Sequence, residues 1–257
     1  MKLEENRITD LDIYLHRMQK SILDKMFFLD KVFEPFEYIL DFGCANGELI
    51  KALHTFFGEY KYIGYDISSE MIAAARRNVP DAEFYTDWNE MKAPFESSLL
   101  NISSTVHEVY SYGTKDDISI FWQRVFGSGF KYVTIRDMML SENDFIPALR
   151  SDIELLRKNT KYSGHLKDYE DVWGTITRQN ELVHYLLKYS YTQNWQREVR
   201  ENYVGLTREE FLKLIPKGYH ITYFDHYTLP YIAWQVKKDY GIELKTPTHM
   251  KVILKKD

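Results

Sequence analysis

The sequence predicts a doubly wound α/β domain, and three observations predict it. Short apolar runs alternate with amphipathic segments from Tyr38 to Met138, a glycine-bearing turn from Gly43 to Gly47 follows the first run, and the next two runs each close on an acid, Asp66 and Asp87. Strand, helix, strand with short connections gives a parallel sheet covered on both faces.

The elements follow in order. Residues 1–34 form an N-terminal cap in which apolar side chains at helical spacing over residues 8–32 predict one or two helices. The core spans residues 35–140. "YILDF" reads as a buried strand, "GELIKALHTFF" as a helix, "YKYIGYD" as a strand and "SSEMIAAARRN" as a helix capped by Ser68 or Ser69. "AEFYTD" and "SLLNISS" are strand-like, "DDISIFWQRVF" is a helix ending at residues 127–129, and "KYVTIRDM" is a strand. Over residues 141–217 the rhythm breaks into "DFIPALRSDIELLRK", "YEDVWGTITRQNELVHYLLKYS", "NWQREVRENY" and "TREEFLKLI", a helical insertion expected to shape a ligand site. Residues 218–257 close the chain with the strand "YHITYFDHYTL", a helix between Pro230 and Gly241, and the strand "THMKVILKK". No repeat or linker divides the chain, so residues 1–257 read as one domain.

Bulk chemistry narrows the class. A chain of 257 residues, 44% hydrophobic and 28% charged, can bury a sizeable core. Its net charge of -5 advertises no polyanion partner. The single cysteine, Cys44, excludes an intrachain disulfide and a multi-cysteine zinc site, and it fits a reducing, cytoplasmic setting. The opening "MKLEENRITDLDIYLHRMQK" lacks an apolar signal core, and no apolar run reaches a membrane-spanning length, so no membrane association is expected. The eight histidines show no H-E-x-x-H type spacing, so no metal is expected.

In a parallel sheet the ligand lies beyond the C-terminal strand ends, where chain turns into helix. Gly43, Ala45 and Gly47 supply a turn with little side-chain bulk there, and the amides that follow can receive a partly negative group. Asp66, roughly twenty residues on, can accept both hydroxyls of an adenosine ribose. Asp87 can accept from an adenine amino group, with Trp88 or Ile67 against the ring. The G-x-G-x-x-G spacing of a nicotinamide dinucleotide site is absent, and an aspartate two residues before the first glycine suits a cationic sulfonium amino acid better than a pyrophosphate.

"ILDFGCANG", "YIGYDIS" and "FYTDW" resemble, in order and spacing, the class I S-adenosylmethionine-dependent methyltransferases. The resemblance covers most of residues 38–138, the last strands moderately and the insertion not at all. It implies a Rossmann-like seven-stranded sheet with an antiparallel last strand and S-adenosyl-L-methionine as cofactor. It also implies that Asp41 and the turn of Gly43, Cys44, Ala45 and Gly47 hold the methionine part, Asp66 the ribose, and Asp87 with Ile67 and Trp88 the adenine. Ser103, ending the fourth strand, joins the cofactor set. Ala45 stands where the family commonly has glycine. Cys44 reads as packing within the loop rather than as a nucleophile. "NISSTVHEVYSYG" carries neither the cysteine of cytosine C5 methylation nor an N-P-P-Y type loop.

Methyl transfer needs alignment more than catalytic side chains. Where a base is needed, His107 and Glu108 are the best-placed residues. Asp137 reads as a structural partner of Arg136 or a neighbour, and Trp195, Arg197, Arg200, Asn202 and Tyr203 as a helix with a solvated charged face. The cap's apolar face reads by default as covering the sheet edge, with Tyr14 and Arg17 closing the pocket as the alternative. The expected function is methyl transfer to an oxygen or nitrogen nucleophile of a small or medium-sized acceptor. The alternatives are an RNA or tRNA acceptor, or a non-catalytic S-adenosylmethionine-binding protein acting through a partner. Oligomeric state is not legible in the sequence.

Overall fold

The computed structural model describes residues 21–257, so the closing roles of Tyr14 and Arg17 lie outside the described residues. Strands β1 (Tyr38–Phe42), β2 (Lys61–Tyr65), β3 (Glu83–Tyr85), β4 (Ser98–Ser103) and β5 (Tyr132–Met138) pair in parallel. β6 (Tyr219–Tyr227) forms one edge, and β7 (His249–Lys256) runs antiparallel between β5 and β6. The order β3-β2-β1-β4-β5-β7-β6 is the seven-stranded sheet with an antiparallel last strand that the resemblance implied. β1 lies between β2 and β4, the point where strand order reverses and a crevice opens beyond the strand ends.

Alternation along the strands builds two apolar faces. Ile39 and Leu99 pack with Phe28, Leu53, Ile72 and Phe84 on one side, while Leu40 and Leu100 pack with Phe121, Val125 and Phe211 on the other. The covering helices are α1 (Ile22–Lys25), α2 (Glu48–Phe56), α3 (Ser69–Asn78), α4 (Val106–Tyr112) and α5 (Lys115–Gly127). Ser68, not Ser69, caps α3, accepting from the Met71 amide at 3.3 Å. Thr114 and Asp117 form a capping box on α5. α4 was not expected: its seven residues are too short for a period to show, and its start is fixed by a distant side chain described below.

The insertion contributes α6 (Arg150–Lys158), α7 (Ser163–Trp173), α8 (Gln179–Leu186), α9 (Trp195–Glu198) and α10 (Arg208–Leu214), followed by α11 (Pro230–Tyr240) before β7. The long segment expected around Trp173 divides in two because Gly174 takes φ +87 and stops α7. The insertion has its own core, in which Leu156, Tyr169, Tyr185 and Tyr189 pack with Val236 and Tyr240 of α11. Buried Lys188 sits inside it, donating to the Glu201 carbonyl with its ammonium 4.5 Å from the centre of the Tyr203 ring. No helix among the described residues is long and apolar enough to cross a membrane.

Candidate active site

A cavity of about 310 Å³ opens at the C-terminal strand ends, within the range of small-molecule pockets. The β1–α2 turn, the end of β2 and the β4–α4 turn form one wall, through Gly43, Ala45, Asp66, Ser103 and Thr105. The insertion and α11 form the opposite wall, through residues such as Leu186, Tyr189, Tyr203 and Ile232.

The turn's shape comes from its backbone. Gly43 and Gly47 take φ +78 and +80, and a Cβ on Gly43 would lie 2.5 Å from Thr105 Oγ1. The glycines therefore seat the turn against its own protein neighbours. Ala45 (φ +47) and Ser104 (φ +57) are the positive-φ non-glycine residues among those described, and both line the cavity. Strain held at two facing turns is a feature of ligand sites.

Asp66 fastens the turn to β2. Its Oδ2 accepts from the Ala45 amide and its Oδ1 from the Ser68 amide, each at 2.9 Å. Burial pushes its pKa upward against those two bonds. Each oxygen retains further acceptor capacity toward the cavity. Ser103 Oγ is buried at the cavity with no hydrogen-bond partner, a polar atom that a bound ligand would satisfy. Asp66 and Ser103 therefore suit a ribose-bearing cofactor with further polar groups.

Other residues of the expected cofactor set lie outside this cavity lining. Asp41 is buried and accepts from Asn101 Nδ2 at 2.8 Å, and Asn101 Oδ1 accepts from Thr134 at 3.0 Å. The strand registers make this inevitable, because Asp41, Asn101 and Thr134 are cross-strand neighbours on β1, β4 and β5. Burial lifts the Asp41 carboxyl to about 6, against the Asn101 bond and the charge of Lys25. Cys44 is buried, and burial raises its thiol pKa well above the ordinary value. Ile67 and Asp87 are exposed, and Asp87 Oδ1 accepts from the Asn89 amide at 2.9 Å. Trp88 packs among Phe42, Tyr65 and Phe130, with the Arg124 guanidinium 5.7 Å from its ring centre.

His107 and Glu108 both line the cavity. His107 Nδ1 lies 2.7 Å from Asp137 Oδ1, while Asp137 Oδ2 accepts from the Val106 amide at 2.7 Å, fixing the start of α4. Burial alone would lower the imidazole pKa, but the Asp137 carboxylate outweighs it and holds the pKa at about 9. Asp137 thus pairs with His107, whereas Arg136 pairs with Asp24 at 2.8 Å.

The insertion's charged cluster is not a solvated face. Arg197, Glu198, Glu201 and Tyr203 are buried and line the cavity, while Arg200 stays exposed. Arg197 meets Glu108 at 2.9 Å, Glu201 at 2.8 Å and Glu198 at 3.7 Å, and Tyr203 OH donates to Glu198. The tertiary fold overturns the solvated reading because Arg197 pairs with these acids in the core, where burial pushes the Glu201 pKa upward toward its neutral form. Trp195 is also buried, donating to Asp168 at 2.8 Å and stacking on His165.

A family profile described as a methyltransferase domain matches residues 39–125, the stretch that carries this cofactor-side wall. That stretch is methyltransferase-like, as the resemblance implied. Residues of the chain are also 36% identical over 73 positions to trans-aconitate 2-methyltransferase of Escherichia coli O7:K1 (strain IAI39 / ExPEC). That alignment spans 28% of this chain and 29% of the relative. The fold of the whole chain is similar to that of the plantazolicin methyltransferase BpumL in complex with SAH, at 12% identity over 97% of this chain and 92% of that one, TM-score 0.51. It is also similar to the pyocyanin biosynthetic protein PhzM, at 12% identity over 98% of this chain and 60% of that one, TM-score 0.54. At such identity the two structures speak for the fold alone. S-Adenosylmethionine is the cofactor of this methyltransferase class, and Asp66 and Ser103 are the residues here whose chemistry fits it.

Proposed function

We propose that this protein transfers a methyl group from S-adenosylmethionine to an oxygen or nitrogen nucleophile of a small or medium-sized acceptor. The observation that carries this reading is the continuity of the cavity, from the turn at Gly43 and Asp66 to the apolar wall of Leu186 and Ile232. Such a cavity can hold a cofactor against one wall and present an acceptor from the other. When bound, the cofactor supplies an electrophilic sulfonium methyl, and the chain supplies alignment and exclusion of water. Asp66 and Ser103 bind the cofactor. His107, held as a cation by Asp137, orients the acceptor as a hydrogen-bond donor rather than acting as a base. Glu108, oriented by Arg197, takes the acceptor's proton where one must leave.

The reading of the insertion as a nucleic-acid surface has less support. Arg197 and Lys188 are buried and facing protein groups, so they are unavailable to phosphates.

The test begins with calorimetric titration of S-adenosylmethionine, S-adenosylhomocysteine and NAD side by side. Binding of the two sulfur nucleosides without NAD is expected, and NAD alone would overturn the proposal. Methyl transfer is then assayed on small carboxylic acids, starting with trans-aconitate, the acceptor in the bacterial relative's name, and in parallel on bulk tRNA. Transfer to tRNA alone would replace the small-molecule reading with the nucleic-acid one.

A further inference from the structure

The charged side chains around the cavity are matched with counter-groups, with one exception. Arg136 faces Asp24, Arg197 faces Glu108 and Glu201, His107 faces Asp137, and Asp66 accepts from two amides. Lys25 lines the same cavity, is 4% exposed, and its ammonium makes no hydrogen bond or ion pair among the described residues. A lone buried ammonium is costly unless something compensates it.

Its placement is built into the fold. The adjacent Asp24 ties α1 down over the sheet ends, accepting from Arg136 Nε at 2.8 Å and from Tyr227 OH at 2.6 Å, and pairing with Lys251. With Asp24 held there, Lys25 is carried into the cavity. Burial and the charge of Arg136 press its pKa down to about 8, while the charges of Asp41, Asp137 and Glu108 act against them. At neutral pH the side chain is still largely an ammonium ion.

We propose that Lys25 is a binding residue that anchors a ligand carboxylate in this cavity. A carboxylate entering beside it would complete the one ion pair the protein leaves open. Two ligands can bring that group: the amino-acid end of the cofactor, or a carboxylated acceptor. The inference rests on the methyltransferase reading for the first source only.

The test compares wild type, Lys25→Met and Lys25→Arg by calorimetry, using S-adenosylhomocysteine, 5′-methylthioadenosine, which lacks the amino-acid carboxylate, and citrate as a polycarboxylate probe. If the cofactor is the source, Lys25→Met weakens S-adenosylhomocysteine at least tenfold, leaves 5′-methylthioadenosine within twofold, and Lys25→Arg restores part of the loss. If the acceptor is the source, S-adenosylhomocysteine is unaffected and citrate binding to the nucleoside-loaded protein falls at least tenfold. Thermal melts accompany both, because Lys25→Met removes an uncompensated buried charge and should melt no lower than wild type. Unchanged affinity for every carboxylate ligand, or no carboxylate binding by wild type, would overturn the proposal. Failure of wild type to bind either nucleoside would instead overturn the methyltransferase reading, and citrate titrated onto the protein alone would still decide the role of Lys25.

Discussion

His107 Nδ1 lies 2.7 Å from Asp137 Oδ1, joining the turn after β4 to the end of β5 through a buried ion pair. Because the same carboxylate also holds the Val106 amide, the pair sets both the charge of the imidazole and the direction of α4. The His107 imidazole is therefore expected to titrate near 9, read by nitrogen NMR of the ring, and to fall in Asp137→Asn, where burial is opposed only by the charges of Glu201 and Glu108. A folded pKa raised from 6.5 to about 9 gives a stabilisation that is complete below 6.5 and lost as pH rises through about 9. Its size is on the order of 3 kcal/mol. Lys25 and Lys188, with pKa values lowered to about 8 and about 7, act in the opposite sense, so the sum over the protein hides the effect. Denaturant melts of wild type against His107→Gln isolate it: the gap should be widest near pH 6 and mostly gone by about pH 10.

Asp66 has two tasks, and one substitution should disturb both. Asp66→Ala removes an acceptor at the cavity and also leaves the Ala45 and Ser68 amides without their partner. The expected result is weaker S-adenosylhomocysteine binding by tenfold or more, together with about 1–3 kcal/mol of lost stability. Calorimetry and urea melts read the two separately. Full retention of affinity would place the nucleoside elsewhere.

Gly64 is needed because of its neighbours. In mid-β2, a Cβ there would lie 2.4 Å from Phe84 Cδ1 and 2.7 Å from Cys44 Sγ, both buried. Gly64→Ala should cost about 1–3 kcal/mol by overpacking. A second change, Phe84→Leu, should recover part of that loss, since Phe84 is the nearer obstacle. Equal melting of Gly64→Ala and wild type would show that the contact relaxes freely.

Arg197 holds three carboxylates, those of Glu108, Glu198 and Glu201, against the cavity wall. Burial already pushes Glu201 upward. Arg197→Met would leave these acids clustered without their cation and should destabilise the protein by about 3–5 kcal/mol. Limited proteolysis should show cleavage appearing first in residues 141–217, the segment with its own core, while the sheet resists.

How much was legible follows the range of the interactions involved. β1 to β5, α2, α3 and α5 could be read because their periods, caps and turn residues lie within a few neighbours along the chain. The same locality marked Gly43, Asp66 and Ser103, since strand ends in a parallel sheet lie on one rim whatever else the chain does. His107 and Glu108 were also placed at the cavity, but not their partners, because Asp137 and Arg197 are supplied by β5 and by the insertion.

By itself the sequence determined the sheet, its glycine turn and the acid closing β2, because hydrophobic period and backbone conformation are local properties. Only the tertiary structure decided that Asp41 would join a buried row with Asn101 and Thr134, that the charges of Arg197, Glu198 and Glu201 would turn inward, and that Lys25 would face the cavity. The physical reason is that a charged side chain's state depends on burial and on partners tens of residues away. Those are fixed only when register and packing bring the partners together.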